Sequence, residues 1–329
     1  MLWPAGREAF VCLRKAAKGL RIGADFQSIG KGKRMAAQII DGNKIAAQIR
    51  GELEKEIKAL KEGHQVTPGL AVVLVGENPA SQQYVRNKNK ACHEIGIYSE
   101  QHNLSKEVPE AELLALIDRL NADPKIHGIL VQLPLPAHID EKKVLNRINP
   151  DKDVDGFHPV NLGRMMVGEP GFLPCTPHGV VKMLAYSGVK TSGSHVVVVG
   201  RSNIVGKPVA NMLLQKAEGA DATVTVCHSR TRDLPSITRQ ADILIAAMGK
   251  PEFVTGDMVR EGVVVIDVGV NRVEDPGSPK GFRWAGDVKF DEVAKKASAI
   301  SPVPGGVGPM TITMLLYNTV ESAKRRVKS

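Results

Sequence analysis

The pattern of apolar and polar positions changes period repeatedly between residues 35 and 159, and each change predicts a new element. Apolar runs over 69–76 and 127–133 indicate strands buried on both faces. Apolar residues at helical spacing predict helices over 79–95, 113–121 and 140–148, and an earlier helix behind a cap between Asp41 and Asn43. This half is β-α-β-α-β-α in outline, an open α/β layer, and residues 151–159 are predicted to form a polar connection. The apolar side of the first helix holds Ile45, Ile49, Leu53, Ile57 and Leu60.

The second half is organised around the run VVVVGRSNIVGKP, from Val196 to Pro208. Four valines in a row indicate a buried strand, and a helical pattern resumes after Gly206. A strand, a tight glycine turn and a helix form the arrangement in which backbone N–H groups meet a nucleotide phosphate. The spacing G-x-S-x-x-x-G differs from the common G-x-G-x-x-G, and any α/β protein can use such a turn to change direction. Nucleotide binding and a plain structural turn are both open at this point.

Helices and strands alternate on either side of that turn, which indicates a Rossmann-like domain. The last helix of the chain is predicted over 310–326. The run PGGVGP before it, Pro304 to Pro309, predicts neither helix nor strand, and its glycines suit either a hinge or a ligand that approaches the backbone closely. The other predicted elements are a helix over 176–186, strand 196–199, helix 205–215, strand 222–226, a short helix near 234, and strands 243–246 and 263–268.

Length and composition favour two folded domains without membrane spans or metal sites. The 329 residues exceed one typical domain, and no run approaches the roughly 18 apolar residues that a spanning helix needs. The four cysteines lie far apart with no C-x-x-C pair, and the nine histidines form no H-x-x-x-H. We therefore expect a protein of a reduced compartment with no bound metal and no membrane partner.

The formal charge of +9 is concentrated in residues 1–34, which contribute +6. Aromatic residues make up only 4% of the chain and are not interleaved with the basic ones, so no nucleic-acid partner is expected. Residues 1–34 are either a basic organelle-targeting segment or lie upstream of the real translation start at Met35. The second explanation is favoured, since transit peptides are rich in serine and this stretch holds only Ser28. The cytoplasm is the expected location, with an organelle as the alternative.

Side chains that can carry chemistry lie at three places in the first half. Tyr84 and Lys88 are four residues apart and share a helical face, where the lysine can donate a proton or, when neutral, accept one. A surface lysine beside a half-buried tyrosine is the ordinary alternative. Gln132 ends an apolar strand, where side chains of an open α/β sheet face a crevice. Asp153 and Asp155 alternate on a loop, either to keep it hydrated or to bind a ligand with donor groups.

The end of the second Rossmann strand favours NADP over NAD. NAD-binding folds place an acidic residue there for the ribose 2′-hydroxyl, whereas this chain has Ser229 and Arg230. A hydroxyl followed by a guanidinium suits a 2′-phosphate, and Arg201 in the glycine turn adds a second cation. An exposed arginine at a strand end is the alternative explanation.

Seven segments together resemble the bifunctional methylenetetrahydrofolate dehydrogenase/cyclohydrolase family, called FolD in bacteria. They occur in the family's order, cover about residues 38–325, and several are long enough to be highly specific. Two departures, Ser301 for threonine and Val270 for isoleucine, remove no functional group. The segments are ENPASQQYVRNKNKAC, GILVQLPLP, DKDVDGFHPVN, GRSNIVGKP, TVCHSRT, VIDVGVNRV and SPVPGGVGPMT.

The resemblance implies an α/β fold with two domains and a folate cleft between them. An open α/β catalytic domain would span 35–158 and include the returning C-terminal helix, 308–329, and a Rossmann-like NADP-binding domain would span 159–307. It also implies a homodimer. The implied catalytic and substrate-binding residues are Tyr84, Lys88, Gln132 and Asp155, with the backbone of Pro304 and Gly305 at the border of the site. The implied cofactor-binding residues are Gly200, Arg201, Ser202, Ile204, Ser229, Arg230, Val270 and Thr311.

The implied reaction has two steps. Hydride passes from the methylene bridge of 5,10-methylenetetrahydrofolate to NADP⁺, which mainly requires positioning. Water then opens the methenyl cation to 10-formyltetrahydrofolate, which requires proton transfer that Lys88 beside Gln132 can supply. A dehydrogenase without cyclohydrolase activity and a non-catalytic nucleotide-binding module are the rival readings. The presence of Tyr84, Lys88, Gln132 and Asp155 argues against both.

Overall fold

The computed structural model describes residues 36–279 and 281–328, without the side chains of Ala80 and Lys328. Residues 1–34, and with them the choice between a targeting segment and a start at Met35, lie outside the described residues. The strands are β1 (Gln38–Ile39), β2 (Gly69–Val75), β3 (Tyr98–Leu104), β4 (Gly128–Val131), β5 (His195–Val199), β6 (Thr223–Cys227), β7 (Ile243–Ala246), β8 (Val264–Asp267), β9 (Asn271–Glu274), β10 (Phe282–Ala285) and β11 (Ala299–Ile300). The helices are α1 (Gly42–His64), α2 (Pro79–Ile95), α3 (Glu110–Ala122), α4 (Glu141–Arg147), α5 (Pro159–Val167), α6 (Cys175–Tyr186), α7 (Gly206–Leu214), α8 (Leu234–Thr238), α9 (Phe290–Val293) and α10 (Val307–Lys328).

The first half folds around a parallel sheet in the order β3-β2-β4. Every residue of β2 is buried, as its apolar run predicts. The predicted cap of α1 is confirmed, since Asp41 accepts a hydrogen bond from the Lys44 N–H at 3.1 Å. At the start of α2, Asn78 accepts one from the Ser81 N–H at the same distance. The predicted apolar side of α1 is buried along its length. These two helices therefore begin where their local sequence dictates.

The β-α-β-α-β-α outline requires a third strand in this half, but the pattern gives no position for β3, because YSEQHNL has neither an apolar run nor a clean alternation. It forms because all seven residues pair in parallel with β2, so its neighbour rather than its own pattern decides its conformation. Residues 151–159, predicted as a polar connection, contain a short 3₁₀ turn at Pro150–Lys152 and lead directly into α5. The Lys152 and Asp153 side chains there are buried, so this connection packs inside the fold.

The second sheet is parallel, with the order β1-β11-β8-β7-β5-β6. The strands predicted for β5 to β8 are confirmed to within one residue or two, and the alternation is the Rossmann-like one. The chain also enters this sheet at β1, which pairs with β11 before α1 begins. A separate antiparallel hairpin is formed by β9 and β10.

Helix α10 packs against α1, α6 and the first sheet. Arg50 Nε on α1 donates to Thr313 Oγ1 at 3.1 Å, and Lys324 Nζ lies 3.1 Å from Glu56 Oε2. The prediction that the run at 304–309 forms no helix is wrong for its last three residues, because α10 begins at Val307. Pro309 is tolerated there because a residue in the first helical turn has no intrahelical N–H bond to lose.

Within residues 36–279 and 281–328, no helix combines the length and apolarity needed to cross a bilayer. The same ranges contain no cluster of three or more histidine, cysteine, aspartate or glutamate side chains arranged for a metal ion. Three cysteines, Cys92, Cys175 and Cys227, are buried as free thiols.

Candidate active site

A buried lysine and a glutamine meet beyond the carboxyl end of β4. Lys88 on α2 is 9% exposed, and its Nζ donates to Gln132 Oε1 at 3.0 Å. Gln132 Nε2 in turn donates to the Leu133 carbonyl at 2.9 Å, which fixes the amide with its oxygen towards the lysine. No carboxylate in the described part of the chain forms an ion pair with Lys88. The amine is therefore held in place by a neutral acceptor and keeps N–H groups for a ligand.

Asp155 lies close enough to Lys88 for their charges to interact. Burial raises the pKa of Asp155, and the Lys88 ammonium opposes that increase. The Cys175 thiol, at the start of α6, donates to the Val154 carbonyl at 3.3 Å, and the Cys175 backbone N–H donates to the Asp155 carbonyl at 3.3 Å. Burial and the Asp155 charge raise the pKa of Cys175 well above its usual range, so this thiol stays protonated. The site thus combines a cationic and an anionic side chain that are not paired with each other.

Asp153 has a different role from Asp155, although the two are neighbours on one loop. Its side chain is buried and accepts hydrogen bonds from the backbone N–H groups of residues 156–158 at 2.8 to 3.3 Å. It also accepts one from Asn161 Nδ2 at 2.9 Å. The idea that both aspartates only keep the loop hydrated is therefore wrong for Asp153, which shapes the loop that carries Asp155. The sequence reasoning missed this role and that of Asn161, because alternating acids mark neither one as buried.

The other predicted folate-site residues are Tyr84, Pro304 and Gly305. Tyr84 lies one turn before Lys88 on α2 and is 51% exposed, so its ring is open to a flat ligand. Pro304 is exposed, and Gly305 adopts a φ of +99°, a conformation that favours glycine. The Gly305 carbonyl accepts from the Asn43 N–H at 3.2 Å, so this turn sits on the first residues of α1. Among the described residues, no hydrogen bond joins the turn to Lys88.

The predicted glycine turn forms a tight cradle between β5 and α7. A Cβ at Gly200, where φ is +137°, would lie 2.1 Å from the Ala247 carbonyl oxygen, and one at Gly206 would lie 2.2 Å from the Gly200 oxygen. Ser202 Oγ accepts from the N–H groups of Val205 and Gly206 at 3.0 and 3.3 Å. Only glycine fits at both positions, so the backbone here is shaped for close approach.

Two guanidinium groups lie exposed beside this cradle. Arg201 follows β5 and Arg230 follows β6, and these strands pair in parallel with Val199 opposite Cys227. Neither guanidinium has a hydrogen-bond or ion-pair partner among the described residues. Residues 223–231 contain no acid. A glycine cradle with two available cations fits a dinucleotide that carries an extra phosphate.

The remaining predicted cofactor residues divide into two groups. Ser229, Ile204 and Val270 are exposed at the carboxyl edge of the second sheet, close along the chain to β6, α7 and β8. Thr311 lies elsewhere, on α10, with its Oγ1 2.9 Å from that of Thr176 on α6. The serine at position 301, where the family commonly has threonine, accepts from the Asp267 N–H at 2.8 Å, so its hydroxyl keeps a structural role.

Comparison with known protein families gives two matches that together cover most of the chain. Residues 40–155 match the tetrahydrofolate dehydrogenase/cyclohydrolase catalytic domain. Residues 174–327 match the NAD(P)-binding domain of the same family. The first contains Lys88, Gln132 and Asp155, and the second contains the glycine cradle.

Curated relatives and solved structures agree with these matches. The chain is 64% identical over 294 residues to the "Bifunctional protein FolD" of Dehalococcoides mccartyi strain CBDB1, covering 89% of this chain and 99% of the relative. It is similar to the crystal structure of bifunctional FolD from Campylobacter jejuni, with 52% identity, a TM-score of 0.83, and coverage of 88% and 100%. The Trypanosoma brucei enzyme, solved with NADP cofactor and an inhibitor, gives 42% identity, a TM-score of 0.84, and coverage of 90% and 100%. The chain therefore belongs to the tetrahydrofolate dehydrogenase/cyclohydrolase family and is a bifunctional enzyme with both of its domains.

Proposed function

We propose that Lys88, Gln132, Asp155 and Tyr84 form one folate site that serves both the dehydrogenase and the cyclohydrolase reactions of this chain. The observation that carries the proposal is the 3.0 Å hydrogen bond from the Nζ of the buried Lys88 to Gln132 Oε1. A lysine held by a neutral amide keeps its capacity to exchange a proton with a ligand. A surface lysine beside a tyrosine has no such arrangement.

In the oxidation step the protein's contribution is placement. Asp155 is positioned to accept hydrogen bonds from adjacent N–H donors of a pterin ring, and the Tyr84 ring is exposed for stacking. The product cation is stabilised by its own two nitrogens, so no protein base has to act on the reacting carbon. NADP supplies the hydride acceptor, and the Gly200 cradle with Arg201 and Arg230 would hold it.

In the hydrolysis step Lys88 manages protons. Water adds to the methenyl carbon between N5 and N10 and loses one proton, for which a neutral Lys88 amine is the acceptor. The carbon–N5 bond then breaks as N5 takes up the proton held by Lys88 and the remaining hydroxyl proton of the adduct is released to solvent, which leaves the formyl group on N10 and Lys88 neutral again. The Gln132 oxygen keeps Nζ at one position through both transfers, because the amide itself is tied to the Leu133 carbonyl.

A dehydrogenase without hydrolase activity, the alternative left open by the sequence, is not supported by the bifunctional relatives. It would need Lys88 only as a structural donor, and a buried ion pair with a carboxylate would then be the stable arrangement. The neutral partner found here supports the bifunctional reading.

The division of labour follows the proposed domains, 35–158 with the returning helix 308–329 for folate and 159–307 for the cofactor. The contacts of α10 with α1 and the first sheet support the first grouping. We also infer a homodimer, since among the strands that the structure describes β3 pairs with β2 alone, which leaves its other edge open for a second copy of the chain. Sedimentation of the purified protein at micromolar concentration tests this, and a monomer would contradict it.

The buried free thiols support the cytoplasm as the location.

An absorbance assay tests the function directly. Methylenetetrahydrofolate is supplied with NADP⁺ or NAD⁺ in turn, and the reduced cofactor and methenyltetrahydrofolate are followed together. We expect reduction with NADP⁺ and a methenyl signal that decays as it is hydrolysed. Reduction with a methenyl product that accumulates at the uncatalysed rate of loss would favour the monofunctional dehydrogenase.

A further inference from the structure

A second pair of buried carboxylates lies outside the folate site, behind the carboxyl ends of β7 and β8. Asp287 has no exposed surface. Its Oδ2 accepts from the N–H groups of Met248 and Gly249 at 2.6 and 2.9 Å. Its Oδ1 accepts from the Lys250 N–H at 2.8 Å and from Asn271 Nδ2 at 3.0 Å. One carboxylate thus ties the loop after β7 to the segment after β8.

Asp267, the last residue of β8, holds Asp287 from the other side. Its Oδ1 accepts from the N–H groups of Gly269 and Asp287 at 3.0 and 2.9 Å. Its Oδ2 accepts from the Val288 N–H at 2.9 Å. Burial raises the pKa of Asp267 to about 7, and the Asp287 charge adds to the effect. The two carboxylates therefore form one connected network of backbone donors.

The glycines around this pair leave no room for rearrangement. A Cβ at Gly269 would lie 2.2 Å from Asp287 Oδ1, and a Cβ at Gly286 would lie 1.8 Å from Asp267 Oδ2. The backbones of Gly269 and Gly286 both contact the carboxylates, so the arrangement depends on the charge and on the shape of the two aspartate side chains.

The segments tied by Asp287 border the cofactor edge. Ala247, directly before the Met248–Lys250 loop, is the residue whose carbonyl oxygen touches the Gly200 turn. Val270 lies between Gly269 and Asn271, which the network holds on both sides, and it is 47% exposed at the same edge. The loops after β7 and β8, which border the cofactor edge, are thus held in place by hydrogen bonds to Asp287 and Asp267.

We propose that Asp287, supported by Asp267, is a positioning residue of the cofactor site that presets the loops after β7 and β8 for NADP. The inference rests on the proposed function only in the identity of the ligand. Asp287 touches no reacting atom, and its effect passes through backbone N–H groups that a carboxylate can gather and an amide cannot. If the loops occupy the binding arrangement for one tenth of the time, the apparent Kd for the cofactor rises about tenfold.

Asp287→Asn tests this, because it places an N–H₂ group against two of the N–H donors. We expect the Kd for NADP⁺, measured by titration calorimetry, and the KM for NADP⁺ to rise at least tenfold. Hydrolysis of 5,10-methenyltetrahydrofolate, assayed without any cofactor, stays within about twofold of wild type. A general structural role would lower both the affinity for NADP⁺ and the rate of hydrolysis. Asp242→Asn is the matched control: Asp242 caps the His195 N–H at the opposite end of the same sheet, and we expect an unchanged Kd for NADP⁺.

Asn271→Ala keeps the test decisive if Asp287→Asn fails to fold, because it removes the Asn271 side-chain bonds to Asp287 Oδ1 and to the Ala285 carbonyl and leaves the bonds from Asp287 to the Met248–Lys250 loop in place. We expect a smaller rise in the Kd for NADP⁺, about threefold or more, with hydrolysis again unchanged. An unchanged Kd in the variants that fold, or a parallel loss of hydrolysis, would overturn the inference. Failure of the wild-type protein itself to bind NADP⁺ would instead overturn the proposed function, so the two failures are distinguishable.

Discussion

The proposed folate site and the proposed cofactor edge are preorganised in opposite ways. At the folate site the functional side chains are themselves held, as Lys88 is by Gln132 and the Asp155 loop is by Asp153. At the cofactor edge Arg201 and Arg230 are exposed and have no partner among the described residues, while the backbone beneath them is fixed by glycine contacts and by Asp287. Chemistry that transfers protons needs a fixed donor atom, whereas phosphate binding needs a fixed cradle and tolerates mobile cations.

The largest expected effect comes from removing the fixed amine. Lys88→Met keeps the length of the side chain, and we expect methenyltetrahydrofolate hydrolysis to fall about 10²–10⁴-fold, the usual contribution of a general acid or base. Dehydrogenase activity falls less, because that step needs placement rather than proton transfer. Lys90→Met, on the exposed side of the same helix, is the control and leaves both activities unchanged. Full hydrolysis by Lys88→Met would remove the basis of the comparison.

The two aspartates of one loop separate binding from folding. Asp155→Asn removes a ligand acceptor, and one charge-assisted hydrogen bond is worth about 1.5–3 kcal/mol, so folate affinity falls roughly 10- to 150-fold in both reactions. Its Tm changes little. Asp153→Asn leaves buried N–H donors unsatisfied, which costs about 2–3 kcal/mol and lowers Tm by roughly 5 °C or more. Calorimetric Tm and folate binding are measured on both variants. Loss of folate affinity in Asp153→Asn alone, with normal Tm, would reverse the assignment.

At the cofactor edge single substitutions have milder effects. Arg201→Ala or Arg230→Ala removes one charge-assisted contact to the 2′-phosphate, and we expect the preference for NADP⁺ over NAD⁺ in kcat/KM to drop about tenfold after screening by salt. Arg201 is expected to contribute more, since it lies in the glycine turn itself. Hydrolysis without cofactor is the internal control. Equal use of both cofactors by the wild type would show that the edge does not select the phosphate.

At neutral pH the smallest effect is expected for a substitution between α6 and α10. His178 on α6 is buried edge-on against Tyr317 of α10, and burial lowers its pKa to about 3. Neutral His178 stabilises the fold fully above its unfolded pKa of about 6.5, and this stability is lost as the pH falls towards 3. At pH 5 the loss is about 2 kcal/mol, so His178→Phe flattens the acid side of the Tm-against-pH curve. His93→Phe, an exposed control, leaves the curve as it is. An identical acid slope in wild type and His178→Phe would contradict this.

Apolar runs made β2, β4, β5, β7 and β8 predictable, because burial on both faces leaves an unambiguous pattern. The same reasoning failed for β1, β3 and β11, whose conformation is decided by strands elsewhere in the chain. The Lys88–Gln132 contact joins residues 44 positions apart, so its prediction depended on a family resemblance and not on spacing. The different roles of Asp153 and Asp155 depend on which way each carboxylate points along one loop, and sequence carries no record of that direction.

The packing of α10 on α1 has a consequence for how the chain is made on the ribosome. The apolar side of α1 is covered in part by a helix that is synthesised roughly 260 residues later, some tens of seconds at ordinary elongation rates. During that time the part of α1 that α10 covers in the folded chain stays exposed. The folate half can complete its packing against α10 only after the cofactor half has been synthesised.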